Sequence, residues 1–526
     1  MFSDLHCHPT LNPYNSNGTI WDYDPPKMRQ RDNLINTLIV SDFIQADFKS
    51  LGKGRVQLVF LSLYPIEYGF LTNLLEGGND NRTIKDLIKA GLNLFTFGNP
   101  EKVLAKVIFN MSGKHYSQLS SPQRDYFTDL QAEYDFLIQG IAKKNGPYRI
   151  EIVSDFNHLQ QVLSLDANLD PAPASQNILA IVLTIEGAHV FGSGQQNTVN
   201  PNTELDIRQL NDLQNPKTQQ LLATCKANVR KVKQWNNGKH SPLFVTFSHH
   251  FWNQLCGHSM SLATIMNKAF NQSPGMNYGM TKMGEEVLKE LLSDQNGRRI
   301  LIDIKHMSIE GRKWYYNFLQ QQQLAVPIIA SHMGANGNAI MQENDLSHRV
   351  EDDRYDASGT LNPWDVNLSH DELLIIHNSR GIIGLNFDQR ILSGCQMVKN
   401  LSAISKRLVR DRRVNHEDLL YRSIWAEPIL ANWLHIVKVI HDSFPDNPAE
   451  QERAWELVAI GSDFDGMINA LDAYCHAEDF QRLRFVLEEK LRLRAAFDPL
   501  LQGKNLTALV EGFLYKNALR FLQRNF

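Results

Sequence analysis

Eight short runs of β-branched and aliphatic residues, spread along the whole chain, restrict its fold more than any other feature. Short, nearly continuous apolar runs are typical of strands that are buried on both faces of a parallel sheet. The predicted strands are Phe2–Leu5, Val56–Leu63, Ile178–Ile185, Leu243–Phe247, Ile300–Ile304, Val326–Ala330, Gly381–Phe387 and Leu457–Ile460. Helical periodicity lies between them, in segments such as Thr281–Leu292, Ile309–Gln322 and Ile429–Ile440.

Strands that alternate with helices predict the α/β class, and eight of them predict a (β/α)8 TIM-type barrel. A doubly wound open sheet is the alternative. The chain has 526 residues, more than the roughly 250–300 at which single hydrophobic cores usually stop growing. We therefore expect one barrel domain over residues 1–526 that carries long, partly helical insertions. The helical insertion is predicted at 65–150 and a set of closing helices at 479–526, with further excursions at 9–53 and 334–375.

The composition argues against several classes of protein. The chain is 43% hydrophobic and 21% charged, with a net charge of −4, which is ordinary for a globular protein. The sequence has no basic stripe that would indicate a nucleic acid partner. It also has no apolar run of about 20 residues that would indicate a membrane segment. Five scattered cysteines, and an N-terminus that reaches Asp4 and His6 without a basic or apolar leader, favour a reducing, cytoplasmic location. The sequence leaves a homodimer open as an assembly.

Histidines or carboxylates directly follow six of the eight predicted strands. Because the carboxyl ends of the strands meet on one face of a barrel, where active sites lie, we expect these side chains to form one site. In strand order they are His6 and His8, Glu186, His249, His306, His332 and Asp463. Imidazole nitrogens and carboxylate oxygens suit zinc, and also manganese, cobalt or iron.

The set is large enough for two divalent metal ions, which we expect to be Zn²⁺, with Glu186 bridging them. The expected ligand sets are His6, His8 and Glu186 for one ion, and Glu186, His306 and His332 for the other. A metal-activated water would then be the nucleophile. Asp463 is predicted to take a proton from that water and deliver it to the leaving group. His249 is predicted to hold the developing oxyanion by a hydrogen bond.

Other polar residues near these strand ends are predicted to have structural roles. His189 and His250 are expected to pack beside the ligands, and Asp465 to orient the loop after the last strand. Lys305 is expected to point to the opposite side of its strand from His306, because successive strand residues face opposite sides. A carbamylated Lys305 that bridges two metals is therefore disfavoured.

The motifs HxH, IEGAH, DIKHMS, IIASHMG and GSDFDG, in that order, resemble those of the renal-type membrane dipeptidase family within the amidohydrolase superfamily. The segments GIIGLNF and NALRFL are similar to that family's pattern as well, and the resemblance covers roughly half of the chain. It implies a distorted barrel, a two-zinc site and hydrolysis of the amide bond in dipeptides. By motif position it implies a bridging Glu186, metal ligands at His306 and His332, a catalytic Asp463 and a substrate-contacting His249.

Two features depart from the family's pattern. The family opens with His-x-Asp, whereas this chain has His6-Cys7-His8. A neutral imidazole in place of a carboxylate makes the predicted two-metal site one charge unit more positive, which should acidify bound water or favour anionic ligands. The family's Arg that binds the substrate carboxylate has no direct counterpart, and Arg349 or Arg354 is the candidate for that role.

The sequence therefore predicts a zinc-dependent metallo-hydrolase that acts on a small amide substrate, and a dipeptide is the leading candidate for that substrate. Another amidohydrolase reaction, on a lactone, a cyclic amide or a phosphoester, is the alternative that the His8 substitution keeps open. A third hypothesis is a non-catalytic metal-binding barrel that binds a partner through its insertions.

Overall fold

A computed structural model describes residues 1–23, 44–72, 105–106, 109–121, 124–143, 146–192, 206–262, 270–342 and 359–526 of the chain. Nine strands occur in this part of the chain. They are β1 (Phe2–Cys7), β2 (Val56–Leu63), β3 (Arg149–Ile152), β4 (Ile178–Glu186), β5 (Phe244–Thr246), β6 (Leu301–Asp303), β7 (Ile329–Met333), β8 (Ile382–Leu385) and β9 (Val458–Ile460). All eight predicted strands are present, with each end within three residues of its predicted position.

Eight of these strands form a parallel barrel. Their hydrogen-bonded order is β1-β2-β4-β5-β6-β7-β8-β9, and every neighbouring pair is parallel. The first and last strands meet just beyond the end of β9. There the Asp463 N–H donates to the His6 carbonyl and the His8 N–H donates to the Phe464 carbonyl, both at 2.9 Å. The protein is therefore a nearly closed (β/α)8 TIM-type barrel, and the open doubly wound sheet is wrong.

The ninth strand, β3, is an addition that the sequence did not predict. It pairs in parallel with the first half of β4, from Ile178 to Ile181. Because β2 occupies the other edge of β4, β3 shares its edge with β5, which pairs with β4 only at Ile185 and Glu186. The strand reads RIEI and alternates between buried and exposed residues, so it lacks the continuous apolar run by which the other strands were recognised.

Helices connect the strands. In the described residues the α-helices are Leu11–Ser16, Phe48–Lys53, Gly69–Thr72, Gly113–Leu119, Tyr126–Ala142, Phe156–Leu163, Ile207–Leu210, Pro216–Lys233, Lys282–Leu292, Ile309–Gln321, His370–Asn378, Gln389–Leu392, Cys395–Arg410, Leu419–Trp425, Glu427–Ser443, Pro448–Arg453, Phe480–Arg494, Leu506–Glu511 and Asn517–Asn525. The sequence specifies several of their starts through capping side chains. The Thr281 hydroxyl, for example, accepts from the Gly284 N–H at 2.9 Å, and helix Lys282–Leu292 begins immediately afterwards.

The proposed boundaries of the insertion and of the closing segment stay predictions. Within 65–150 the described helices are Gly69–Thr72, Gly113–Leu119 and Tyr126–Ala142, while residues 73–104 lie outside the described part. At the C-terminal end, Leu514, Leu519 and Leu522 are fully buried in the same hydrophobic core as the strands. Of the helices that the structure describes, none combines the length and the apolar character that crossing a bilayer requires.

Candidate metal centre

The four histidines that are predicted as metal ligands surround the carboxylate of Glu186, the last residue of β4. The Nε2 atoms of His6 and His8, at the end of β1, lie 3.2 and 3.0 Å from its two oxygens. The Nε2 of His332, on β7, is 3.6 Å from Oε1, and that of His306, after β6, is 3.9 Å away. All five side chains are buried. The structure thus brings together the five residues that the sequence predicts as ligands.

The imidazole nitrogens of this cluster face one another in pairs. The Nε2 atoms of His6 and His8 are 3.1 Å apart, and those of His306 and His332 are 3.3 Å apart. Two nitrogens that bind one tetrahedral zinc ion lie about 3.3 Å apart, since each is about 2.0–2.1 Å from the metal. The spacing of both pairs therefore fits ligands of a shared ion.

A hydrogen bond from the Nδ1 atom of His8 shows that the other ring nitrogen, Nε2, is the one available to a ligand. Its Nδ1 lies 3.0 Å from the Ser62 carbonyl, which can only accept a hydrogen bond. Nδ1 therefore carries the proton, and Nε2 presents its lone pair toward Glu186 and His6. Burial alone would lower the pKa of His8, but the Glu186 carboxylate raises it to about 9. Nε2 therefore holds a second proton unless a cation takes its lone pair.

Three sets of described side chains place their ligand atoms close enough to hold a metal ion, within 4.8 Å of one another. They are His6, His8 and Asp463; His6, Asp303 and His332; and Glu186, His249 and His306. Asp303 is the least available of these residues. Its Oδ2 accepts from the Thr246 and Ser331 hydroxyls, both at 2.6 Å, and its Oδ1 accepts from the Ser331 N–H at 2.9 Å. Asp303 thus binds neighbouring strands together.

Asp463 lies at the rim of the cluster, just after β9. One carboxylate oxygen is 3.8 Å from the Nε2 of His8, and the other accepts from the Asn386 amide at 3.2 Å.

The backbone of Asp463 is left-handed, with φ 61°, as is that of His306, with φ 65°. Non-glycine residues in this region are uncommon and concentrate at functional sites. Here the conformation aims both side chains into the barrel mouth.

The pKa values of the two carboxyl groups in the cluster are shifted in opposite directions. Burial raises the pKa of Asp463 well above its usual range, and the nearby charge of Glu186 raises it further. Burial alone would raise the pKa of Glu186 too, but the imidazoles of His249, His6 and His8 lower it well below its usual range. Carboxylates whose pKa values are pushed apart in this way commonly divide acid–base and electrostatic roles.

His249 lies between two carboxylates. Its Nε2 is 3.5 Å from the Glu186 carboxylate, and its Nδ1 is 2.6 Å from the carboxylate of Glu67. Burial alone would raise the pKa of Glu67, but the His249 imidazole lowers it to about 2. Sequence reasoning missed Glu67, because it belongs to the segment that follows β2, which has no histidine or recognised motif. Its only sequence signal was its place shortly after a strand end.

The residues predicted to have structural roles are held by ordinary hydrogen bonds. The Nε2 of His189 is 2.9 Å from the Pro65 carbonyl, and the Nδ1 of His250 is 2.6 Å from the Ser261 hydroxyl. Asp465 accepts from the backbone N–H groups of residues 45 and 46, at 2.8 and 2.9 Å. It therefore fixes the loop after the last strand against that segment, as predicted.

A cavity opens directly above the cluster and contains two cationic side chains. Lys305 and Arg390 line it together with His306, Glu186 and Asp463. The prediction that Lys305 points away from His306 is wrong. Strand β6 ends at Asp303, and the left-handed backbone of His306 breaks the alternation of strand side chains. Lys305 is buried, and burial lowers the pKa of its ammonium group to about 8.

Arg390 was not among the predicted site residues. It follows β8, and its Nε lies 2.9 and 3.0 Å from the two oxygens of Asp388. Its side chain stays 21% exposed, so it can still meet a ligand that enters the cavity. The two arginines predicted for that purpose, Arg349 and Arg354, lie outside the described residues.

A larger cavity, of about 660 Å³, lies elsewhere and has a different character. It is lined by Trp21, Tyr148 and residues of β3, which pairs with the first half of β4, whereas Glu186 ends that strand. Its lining includes one histidine and one carboxylate, His240 and Glu151. Among the described residues, the side chains that could hold a metal are gathered at the smaller cavity.

No protein-family model matches the chain, and no curated protein is similar to it in sequence. Solved structures are similar in overall shape. One is dipeptidase AC, a metallopeptidase of family M19, at 13% identity over 100% of this chain and 98% of that one, with a TM-score of 0.48. A second is a metallopeptidase from Rhodobacter sphaeroides bound to a phosphinate mimic of the dipeptide L-Ala-D-Ala, at 13% identity over 100% and 99% of the chains, with a TM-score of 0.48. A third is the probable dipeptidase PvdM from Pseudomonas aeruginosa, at 14% identity over 100% and 96%, with a TM-score of 0.46. Similarity this remote carries no information on the activity of this chain.

Proposed function

We propose that the protein is a metal-dependent hydrolase that cleaves the amide bond of a small substrate, for which a dipeptide is the leading candidate. One observation carries the proposal: four buried imidazoles converge on the Glu186 carboxylate at the mouth of the barrel, with Asp463 at their edge. A cluster that serves only stability would satisfy each buried nitrogen with its own partner. This cluster instead aims the Nε2 atoms of four histidines at one carboxylate.

The donor set fits two divalent ions, for which we propose Zn²⁺ in a cytoplasmic protein. The proposed ligands are His6, His8 and Glu186 for one ion and Glu186, His306 and His332 for the other. When bound, such ions polarise the scissile carbonyl and acidify a water for attack.

Asp463 is the proposed acid–base residue. Its carboxyl group lies within 4.0 Å of three of the histidine nitrogens, and among the described residues it accepts a hydrogen bond from the Asn386 side chain rather than from the backbone. It is therefore free to take a proton from the attacking water and to give that proton to the leaving nitrogen. The Asn386 amide, which donates to Oδ2, keeps the carboxylate oriented during both transfers.

Two side chains are proposed to contact the substrate. His249 faces the cavity beside Glu186, and its proposed role is to donate a hydrogen bond to the oxyanion that develops during attack. Arg390, at the same cavity, is placed to bind a substrate carboxylate. Arg349 and Arg354 remain proposals for that second role.

A direct test combines metal analysis with a substrate panel. Purified protein should contain about two transition metal ions per chain and should hydrolyse at least one L,L- or L,D-dipeptide, with loss of activity on chelation and recovery with zinc. Well under one ion per chain, with none restored by added zinc, would sink the proposal. An inert protein that stays loaded with metal and retains a specific protein partner would support the binding-protein hypothesis instead.

Lys305 favours a second candidate reaction, the hydrolysis of an anionic ester such as a phosphoester. Its buried ammonium lines the cavity beside Glu186 and Asp463, and His8, which faces Glu186, stands where the family has an aspartate. Both features make the site more positive and so favour an anionic substrate. Phosphoesters and lactones in the same panel separate the two reactions, since the dipeptidase proposal requires that dipeptides be the better substrates.

A further inference from the structure

The proposed substrate contact, His249, is held from behind by a carboxylate that the mechanism does not use. The Nδ1 of His249 lies 2.6 Å from the Glu67 Oε2, while its Nε2 faces the Glu186 carboxylate at 3.5 Å. Both side chains are buried, with the His249 and Glu67 residues 3% and 2% exposed. The edge of the Tyr64 ring packs against the imidazole, with ring centroids 4.7 Å apart. The ring therefore has one orientation.

The hydrogen bonds around Glu67 identify it as the acceptor of this pair. The Phe251 N–H donates to Oε1 at 3.0 Å, and the His250 N–H donates to Oε2 at 3.3 Å. The Tyr64 hydroxyl donates to Oε2 at 3.2 Å. Backbone N–H groups can only donate, so both oxygens of Glu67 are acceptors. The hydrogen between Glu67 and His249 therefore belongs to Nδ1.

We propose that Glu67 is a positioning residue for His249, which orients the ring by accepting its Nδ1–H and so keeps Nε2 facing the cavity. The inference rests on the proposed function, in which Nε2 contacts the substrate. Carboxylates that hold the outer nitrogen of a metal-ligating histidine typically contribute about 10–100-fold to metal affinity or activity, and we expect an effect of the same order at His249. Glu67 reaches the site from the segment that follows β2, and thus makes part of the predicted insertion a component of the active site.

Glu133 provides a matched control. It is a buried carboxylate on helix Tyr126–Ala142, in the same insertion, and it accepts two hydrogen bonds, compared with four at Glu67. The two at Glu133 come from the Thr10 hydroxyl at 2.6 Å and from the Tyr64 N–H at 2.9 Å. It makes no hydrogen bond or ion pair with a histidine among the described residues. Glu133→Gln therefore alters a buried carboxyl group of the same insertion without removing a hydrogen bond to His249.

The first test is a double-mutant cycle on the metal-loaded enzyme. Glu67→Gln places an amide donor among donors, so it should lower kcat by about 10–100-fold with KM changed less than about twofold. In a His249→Ala background the same substitution should lower kcat less than about twofold further. Glu133→Gln should leave kcat within about twofold. An equal loss of kcat in both backgrounds, or an equal loss in Glu133→Gln, overturns the proposal.

The second test does not need turnover. In protein with ¹⁵N-labelled histidine, the short Nδ1–H···Glu67 hydrogen bond should give a low-field proton resonance. It should disappear in both His249→Ala and Glu67→Gln and persist in Glu133→Gln. A resonance that survives Glu67→Gln contradicts the positioning role. If the wild type shows this resonance but cleaves no dipeptide, the proposed function fails and the hydrogen bond stands.

Discussion

Two buried clusters of charged and polar side chains in this protein differ in how their charges are matched. Arg312 and Glu372, on helices Ile309–Gln321 and His370–Asn378, are fully buried, with Nε and Oε1 2.8 Å apart. Glu372 also accepts from the Tyr316 hydroxyl at 3.0 Å and from the Ser369 hydroxyl and N–H at 2.9 and 3.1 Å. One cation meets one anion, and the remaining lone pairs have donors.

At the metal centre the matching is incomplete. The single Glu186 carboxylate faces the Nε2 atoms of five histidines, at 3.0 to 3.9 Å. The contrast supports the proposal that the Glu186 cluster is completed by a bound ligand, whereas the Arg312–Glu372 pair is matched within the protein.

The largest expected effect comes from the rim of the metal centre. Asp463→Asn should lower turnover by at least about 10³-fold, because the amide cannot exchange the proton. Metal content, measured by mass spectrometry, should not change. Asp465→Asn is the control: Asp465 is also buried and left-handed, with φ 66°, but it binds backbone N–H groups. Full activity in the Asp463 variant would remove this residue from the proton-transfer role.

Breaking the satisfied cluster should cost stability and leave the chemistry unchanged. Arg312→Ala leaves the buried Glu372 without its counter-charge and should lower the free energy of unfolding by about 3–5 kcal/mol. Replacing both residues, with Arg312→Met and Glu372→Leu, should restore most of that loss. Urea unfolding of the metal-loaded protein measures both. If the double variant is no more stable than Arg312→Ala, the uncompensated charge of Glu372 is not the cause of the lost stability.

Removing metal should affect only the unsatisfied cluster. A ligand present at about 100 times its Kd stabilises the folded state by about 2.7 kcal/mol. Chelation should therefore lower the Tm of the wild type and of Arg312→Ala by the same amount. The double variant His6→Ala and His332→Ala, which removes one nitrogen from each facing pair, should show no shift with chelator. A wild-type Tm that chelation does not move would contradict metal binding at this centre.

Sequence reasoning found the residues whose position follows from the fold. His6, Glu186 and His332 each lie at the end of a buried apolar run, and a parallel barrel gathers such ends by its topology. Glu67 and Arg390 lie beyond strand ends, where loop conformation decides which side chains return to the site. Lys305 was misplaced because strand alternation was extended past the end of β6. Such departures depend on contacts between distant segments, which no local pattern encodes.

The smallest expected effect comes from charges that are matched but exposed. Lys289 lies 2.8 Å from Glu285, one turn away on helix Lys282–Leu292, and its side chain is 43% exposed. Water already solvates both groups, so Lys289→Ala should lower the free energy of unfolding by about 0.5 kcal/mol or less, an effect that salt should weaken further. Urea unfolding at low and high ionic strength measures this. If Lys289→Ala costs as much stability as Arg312→Ala, charge matching contributes equally at the surface and in the core. Burial would then not explain why the Arg312–Glu372 pair stabilises the protein.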